Sequence, residues 1–162
     1  MTVIVEVINK NGYDVSASRW QIAVETVLRH HQINSTVEMS ISVQEDDAIQ
    51  RLNHQFRGND APTDVLSFPS GELGNLADLP DGFYLGDLAI ALPYASAQAE
   101  RHNHSLADTL TLLVVHGVLH LLGYDHDDEE SQTIMWEEQA IILDELGVSA
   151  SIVPALEDES DG

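Results

Sequence analysis

Apolar residues recur along this chain with two periods, and those periods sort it into strands and helices. Val37, Met39, Ile41 and Val43 take every second position, which places all four on one face of a strand. Residues 2–8 alternate or run apolar in a β-branched pattern and read as another strand. Asp64–Phe68, stopped by Pro69, and Phe83–Ala91 give two more. The helical period governs Ala17–Arg29, through Trp20, Val24, Val27 and Leu28, and Gln44–Phe56, through Ala48, Ile49, Leu52 and Phe56. Pro93–His102 reads as a third helix. Ser105 with Asp108 resembles a capping box that opens a fourth over 106–122, and Asp127 with Glu130 does the same for a fifth, closed at Gly147. Gly58–Pro62 and the Gly-, Pro- and Asp-rich residues 70–82 are loops.

The fourth helix differs from the others. From Leu110 to Leu122 it is apolar nearly all round, which requires burial on every side. Strands and helices mix without regular βαβ spacing. The expected class is therefore α+β, a small mixed sheet of about four strands packed with about five helices around that central helix. The length, 162 residues, suits one domain over residues 1–150. Residues 151–162 add an acidic tail with little to bury, expected to be disordered.

Charge narrows the function. Twenty-eight acidic residues face five arginines and Lys10, a formal net charge of −22. A general nucleic-acid binder carries a basic footprint, because phosphate neutralisation supplies much of its affinity, and this chain has none overall. There is no cysteine, hence no disulfide framework, thiolate ligand or cysteine nucleophile. No basic n-region or long apolar run follows Met1, so a cytoplasmic protein without membrane contact is expected.

Three histidines interrupt the apolar helix and its end: His116, His120 and His126. A buried imidazole needs a partner, since its polar ring otherwise loses solvation. Residues four apart lie about 40° apart around a helix axis and about 6 Å along it, so His116 and His120 share a face. Gly123 can take the left-handed conformation that ends a helix, and the turn after it can carry His126 back. Three imidazoles and an open position describe a catalytic zinc site, one Zn2+ ion with three His ligands, rather than a closed structural one.

This spacing, H-x-x-x-H-x-x-G-x-x-H, is that of the metzincin proteases, which place a glutamate base directly after the first histidine. Here that position is Gly117, so the peptidase base is missing. A three-histidine zinc site can still polarise a phosphoryl oxygen. Phosphate chemistry would also need a cation. Arg57, at a helix end before the Asp64–Phe68 strand, could clamp a phosphate bidentately or could be a surface or capping residue.

His116–His126 also resembles the H-G-x-L-H-L-x-G-Y-D-H signature of the YbeY family, endoribonucleases of bacterial ribosomal RNA maturation. Asn53, Arg57 and Pro62–Pro69 resemble its second motif, and Leu85-Gly-Asp87 its third. Met135 with Glu138 fits the pattern of its last helix. The resemblance implies zinc on His116, His120 and His126, with Arg57 as the catalytic cation near the scissile phosphate. It implies cleavage of single-stranded rRNA at the 3′ end of 16S rRNA and a part in ribosome quality control. The implied partners are the small ribosomal subunit, one of its proteins and an Era-type GTPase. Leu85–Asp87 is expected to be scaffold, and Asp64 to cap a backbone turn. Asp125 either orients a ligand or forms the turn. His30, His31, His54, His102 and His104 are expected on the surface. The rival readings are a metzincin-like metallopeptidase and a non-catalytic assembly factor stabilised by its metal.

Overall fold

A computed structural model describes residues 2–149 and 152. The expected tail, apart from Ile152, lies outside those residues. Four strands, β1 (Val3–Ile8), β2 (Val37–Gln44), β3 (Val65–Pro69) and β4 (Phe83–Ala91), form one sheet in the order β1-β2-β4-β3. The helices are α1 (Ala17–His30), α2 (Asp46–Arg57), α3 (Leu92–Arg101), α4 (Leu106–Leu121) and α5 (Glu129–Glu145). β1, β2 and β4 run parallel, and β3 returns antiparallel along β4. The mixed α+β sheet is as expected, yet β1-α1-β2 is a parallel crossover unit that the irregular spacing had hidden.

The alternation in β2 works as its period demands. Val37, Met39, Ile41 and Val43 are buried in one core with Trp20, Val24, Val27 and Leu28 of α1 and with the apolar residues of α4. Every residue from Thr109 to Leu119 is buried, so α4 is the central helix that its all-round apolarity required. On the other face a smaller cluster, Ile49 with Leu66, Ala89 and Ala91, seats α2. That helix starts two residues later than the pattern suggested, because β2 runs on to Gln44 and Glu45 stays extended as its N-cap. The N-cap of α5 is Asp128, not Asp127: its carboxylate accepts from Ser131 N at 2.8 Å. Residues 70–82 hold only one short 3₁₀ turn, Leu76–Asp78.

Leu85-Gly-Asp87 is built into the sheet as scaffold. The β2–β4 register slips beside Leu85, since Glu38 faces Tyr84 while Met39 faces Gly86. Gly86 has φ +144°, and a Cβ there would sit 2.4 Å from the Phe68 carbonyl oxygen, so only glycine fits. The Asp87 carboxylate accepts from Ser40 Oγ at 2.5 Å and from the Tyr84 hydroxyl.

Asp64 is fully buried where α2, β3 and α3 meet. Its Oδ1 caps Val65 N at 2.7 Å, as expected of a turn-capping residue, and its Oδ2 accepts from Gln98 Nε2 at 3.3 Å. Burial pushes its carboxyl up to about 6, against the lowering effect of the Val65 amide and Gln98. A pKa raised on folding adds stability below the unfolded value near 3.8, and that contribution is lost as pH rises to about 6. Asp64→Asn removes the charge, and its amide can donate to Gln98 Oε1, which has no partner, once the glutamine amide turns over. The variant is expected to be more stable than the parent above pH 6, by at most about 3 kcal/mol, with the gain gone at pH 4. Thermal melting at pH 4 and pH 8 measures this.

Candidate metal centre

The cage is assembled from one helix and the turn that ends it. Ser105 Oγ accepts from Asp108 N at 3.1 Å and starts α4, while the Asp108 carboxylate pairs with Arg19 instead of closing a reciprocal box. At the other end Tyr124 N reaches Leu119 O and Gly123 N reaches His120 O, each at 3.0 Å, with Gly123 at φ +103°. Asp125 forms the turn: its carboxylate accepts from His126 N at 2.8 Å. The chain thereby reverses, and His126 meets the other two histidines. Ring centroids of the three pairs lie 4.5, 5.1 and 5.4 Å apart.

Hydrogen bonds behind the rings fix where their lone pairs point. His116 Nδ1 lies 2.5 Å from Gln139 Oε1, and His120 Nδ1 lies 2.9 Å from the Tyr124 carbonyl oxygen. Both partners only accept, so each Nδ1 carries the proton and each Nε2 bears a lone pair. Those two Nε2 atoms face one another at 3.0 Å. His126 Nε2 is buried with no hydrogen-bond partner. Two facing lone pairs and a third orphaned nitrogen are costly unless a cation sits among them. Burial, then the neighbouring His126, hold His120 below its usual pKa and keep it in the neutral form a metal needs.

The three ligand atoms lie within 4.8 Å of one another, so these residues could hold a metal ion. A tetrahedral ion with bonds of about 2.0–2.1 Å spaces its nitrogens about 3.3 Å apart, a small side-chain adjustment from the present separations. Trp136 walls the cage, its ring 5.7 Å from His116 and 5.5 Å from His126.

The cage opens into a cleft of about 360 Å³, lined by Arg57, Ser67, Pro69, His120, Tyr124, His126 and Asp127, among others. Arg57 arrives there because α2 ends in a left-handed Gly58 cap, and because Phe56 packs edge-on against Phe68 with centroids 5.4 Å apart. The structure thus brings together all four residues singled out from the sequence: Arg57, His116, His120 and His126.

Gly117 faces away from this cleft. A Cβ at that position would lie 2.7 Å from Leu88 Cδ2, because α4 is pressed against β4 there. A glutamate base is therefore absent and has no room.

His31 is not a surface residue. Its side chain is 10% exposed, its Nδ1 lies 2.7 Å from Val27 O, and its Nε2 lies 2.9 Å from the Tyr124 hydroxyl. It braces the turn whose carbonyl orients His120. Glu138, read as part of a motif, stands 3.5 Å from His31 Nε2 and not in the cage, whereas its neighbour Gln139 orients His116. Gln139 is fully buried and falls on the α5 face with Met135, Ile142 and Leu143. An amide within that apolar stripe was the signal that could have found it. Gln139→Leu is expected to weaken metal binding about 10- to 100-fold, and Gln139→Glu to keep it tight. Competition with a chromophoric chelator measures both.

A family model described as endoribonuclease YbeY matches residues 6–147. The endoribonuclease YbeY of Sulfurihydrogenibium sp. is 42% identical over 143 residues, covering 86% of this chain and 90% of that protein. That of Roseiflexus castenholzii is 42% identical over 149 residues, covering 91% and 94%. That of Gloeobacter violaceus is 42% identical over 137 residues, covering 83% and 70%. The solution structure of TM1509 from Thermotoga maritima superposes with a TM-score of 0.59 at 25% identity, over 98% of this chain and 97% of that one. Matches of this extent span the helix, the turn and the arginine that build the cleft, and the chain belongs to the endoribonuclease YbeY family.

Proposed function

We propose that this chain is a zinc-dependent endoribonuclease that cuts single-stranded ribosomal RNA in the maturation of the 16S 3′ end and in ribosome quality control. The observation that carries the reading is a cage of three convergent imidazoles, two of which line one cleft together with a guanidinium. Zinc bound there would supply Lewis acidity toward a phosphoryl oxygen and make water a better acid near neutral pH. His116, His120 and His126 would hold it as neutral ligands. Arg57 would clamp the scissile phosphate through two parallel N–H bonds and balance the charge that builds on it in the transition state. Trp136 and the buried flank of α4 keep bulk water from the back of the cage, where it would weaken those interactions.

The recess favours a flexible strand. His116 is fully buried, so a phosphate must enter the cleft to approach the cage, which a stiff duplex backbone does poorly. The peptidase reading loses its footing at Gly117, where Leu88 fills the space a base would need.

The acidic surface shapes how substrate arrives. Arg19, Arg29 and Arg51 are engaged by Asp108, Glu145 and Asp47, which leaves little cationic surface to track a nucleic-acid backbone. Free RNA should bind weakly, so delivery would fall to the small ribosomal subunit, one of its proteins and an Era-type GTPase, in the cytoplasm. Among the described residues no helix is long and apolar enough to cross a membrane.

The test uses zinc-loaded protein and precursor 16S rRNA, free and on small subunits. Cleavage in single-stranded sequence is expected, faster on subunits. No cleavage of any single-stranded RNA would refute the enzyme, and nanomolar binding of free RNA in physiological salt would refute the need for delivery.

A further inference from the structure

Among the described residues strand β3 is the edge of the sheet beside the cleft, since it pairs there only with β4. Ala91 N donates to Asp64 O at 2.9 Å, and Ser70 N donates to Leu85 O at 3.2 Å. In an antiparallel ladder the bonded residues recur at every second position. Asp64, Leu66, Phe68 and Ser70 therefore turn their main-chain groups toward β4, while Val65, Ser67 and Pro69 turn theirs off the edge. Val65 N is capped by Asp64 Oδ1 at 2.7 Å, and Pro69 has no N–H. Ser67 is left with the donor that this edge offers.

Its hydroxyl is almost as uncommitted. Ser67 Oγ reaches Gly117 O at 3.4 Å, at the long limit of a hydrogen bond and to a carbonyl inside α4. Ser67 is 9% exposed, and what it shows lies in the cleft with Arg57, His120 and His126. An edge strand normally presents a row of donors and acceptors, and here capping and proline have pared the donors to one residue at the reaction site.

We infer that Ser67 is a phosphate-binding residue: its main-chain N–H and hydroxyl hold a non-bridging oxygen of the phosphate that Arg57 clamps. This rests on the phosphodiester reading of the cleft. A rigid strand amide paired with a hydroxyl is suited to an oxyanion, because neither donor must reorganise when charge develops. Two donors from the sheet and a guanidinium from α2 would grip the phosphate from different sides and fix its orientation to the cage.

Zinc-loaded, ¹⁵N-labelled protein titrated with inorganic phosphate provides the first test. The Ser67 amide proton should move downfield saturably as it takes an anionic acceptor. In single-stranded RNA cleavage, Ser67→Ala should lower kcat about 10- to 100-fold with KM within about threefold, and Ser67→Thr, which keeps the hydroxyl, should stay near the parent. An amide unmoved at saturating phosphate, or Ser67→Ala turning over like the parent, overturns the inference. A phosphate-induced shift in a protein that cleaves no RNA would sustain the anion site and refute only the enzymatic reading.

Discussion

His120→Ala is expected to abolish tight metal binding and to lower RNA cleavage by about a thousandfold or more, while the variant still folds without metal. The two halves of this result come from one piece of geometry. The Nε2 atoms of His116 and His120 stand 3.0 Å apart with their lone pairs inward, so losing one ring removes a repulsion that a cation would otherwise offset, against the one hydrogen bond from His120 Nδ1 to the Tyr124 carbonyl. His120 is only partly buried and lies at the solvent side of α4, where an alanine leaves no large core cavity. The loaded protein behaves differently. A ligand that binds only the folded state stabilises it by RT ln(1 + [L]/Kd), about 2.7 kcal/mol at a hundredfold excess over Kd. That zinc-induced rise in melting temperature should vanish in the variant together with activity. Calorimetry with and without zinc measures the first, and cleavage of a precursor 16S 3′ end on small subunits measures the second. A variant that unfolds without zinc would point to a structural metal and a non-catalytic assembly factor.

Arg57→Ala should lower kcat by about 10²–10³ with zinc affinity unchanged and the fold retained. The guanidinium lines the cleft from the exposed end of α2 and contributes nothing to the buried cluster that seats that helix, which is Ile49, Leu66, Ala89 and Ala91. Its loss therefore leaves that core packing intact. Arg57→Lys should recover only part of the rate, since an ammonium replaces the charge but not the planar pair of donors. Single-turnover cleavage by zinc-loaded parent and variants checks this. Unchanged cleavage in Arg57→Ala would remove the arginine from the reaction.

Both expectations began in residues that the linear chain already marked. His116 and His120 share a face because any α-helix puts residues four apart together, and Gly123 ends the helix where the next imidazole must return. The four strands and five helices followed from periods of two and 3.6, and the central place of α4 from its lack of a polar face. These are local properties, set by backbone geometry and by which side chains avoid water. Gly117 likewise removed the peptidase base by its identity alone.

Other parts of the site had no local signal. Gln139 lies 23 positions from the imidazole it orients, and His31 lies 93 positions from the tyrosine it braces. Their roles depend on how α5 and α1 pack against the end of α4, and a histidine at a helix C-terminus looks like a surface residue until that packing is known. Ser67 reads as an ordinary strand residue, and becomes a candidate anion donor only because β3 ends up at the sheet edge with Asp64 and Pro69 beside it. The chain's own order of residues was enough for the elements, the metal-ligand set and the missing base, because each depends on spacing within a single helix and its closing turn. Orientation of the ligands, the lack of room at position 117 and the set of donors facing the phosphate came from tertiary packing, because each depends on atoms that distant segments bring within hydrogen-bond or van der Waals reach.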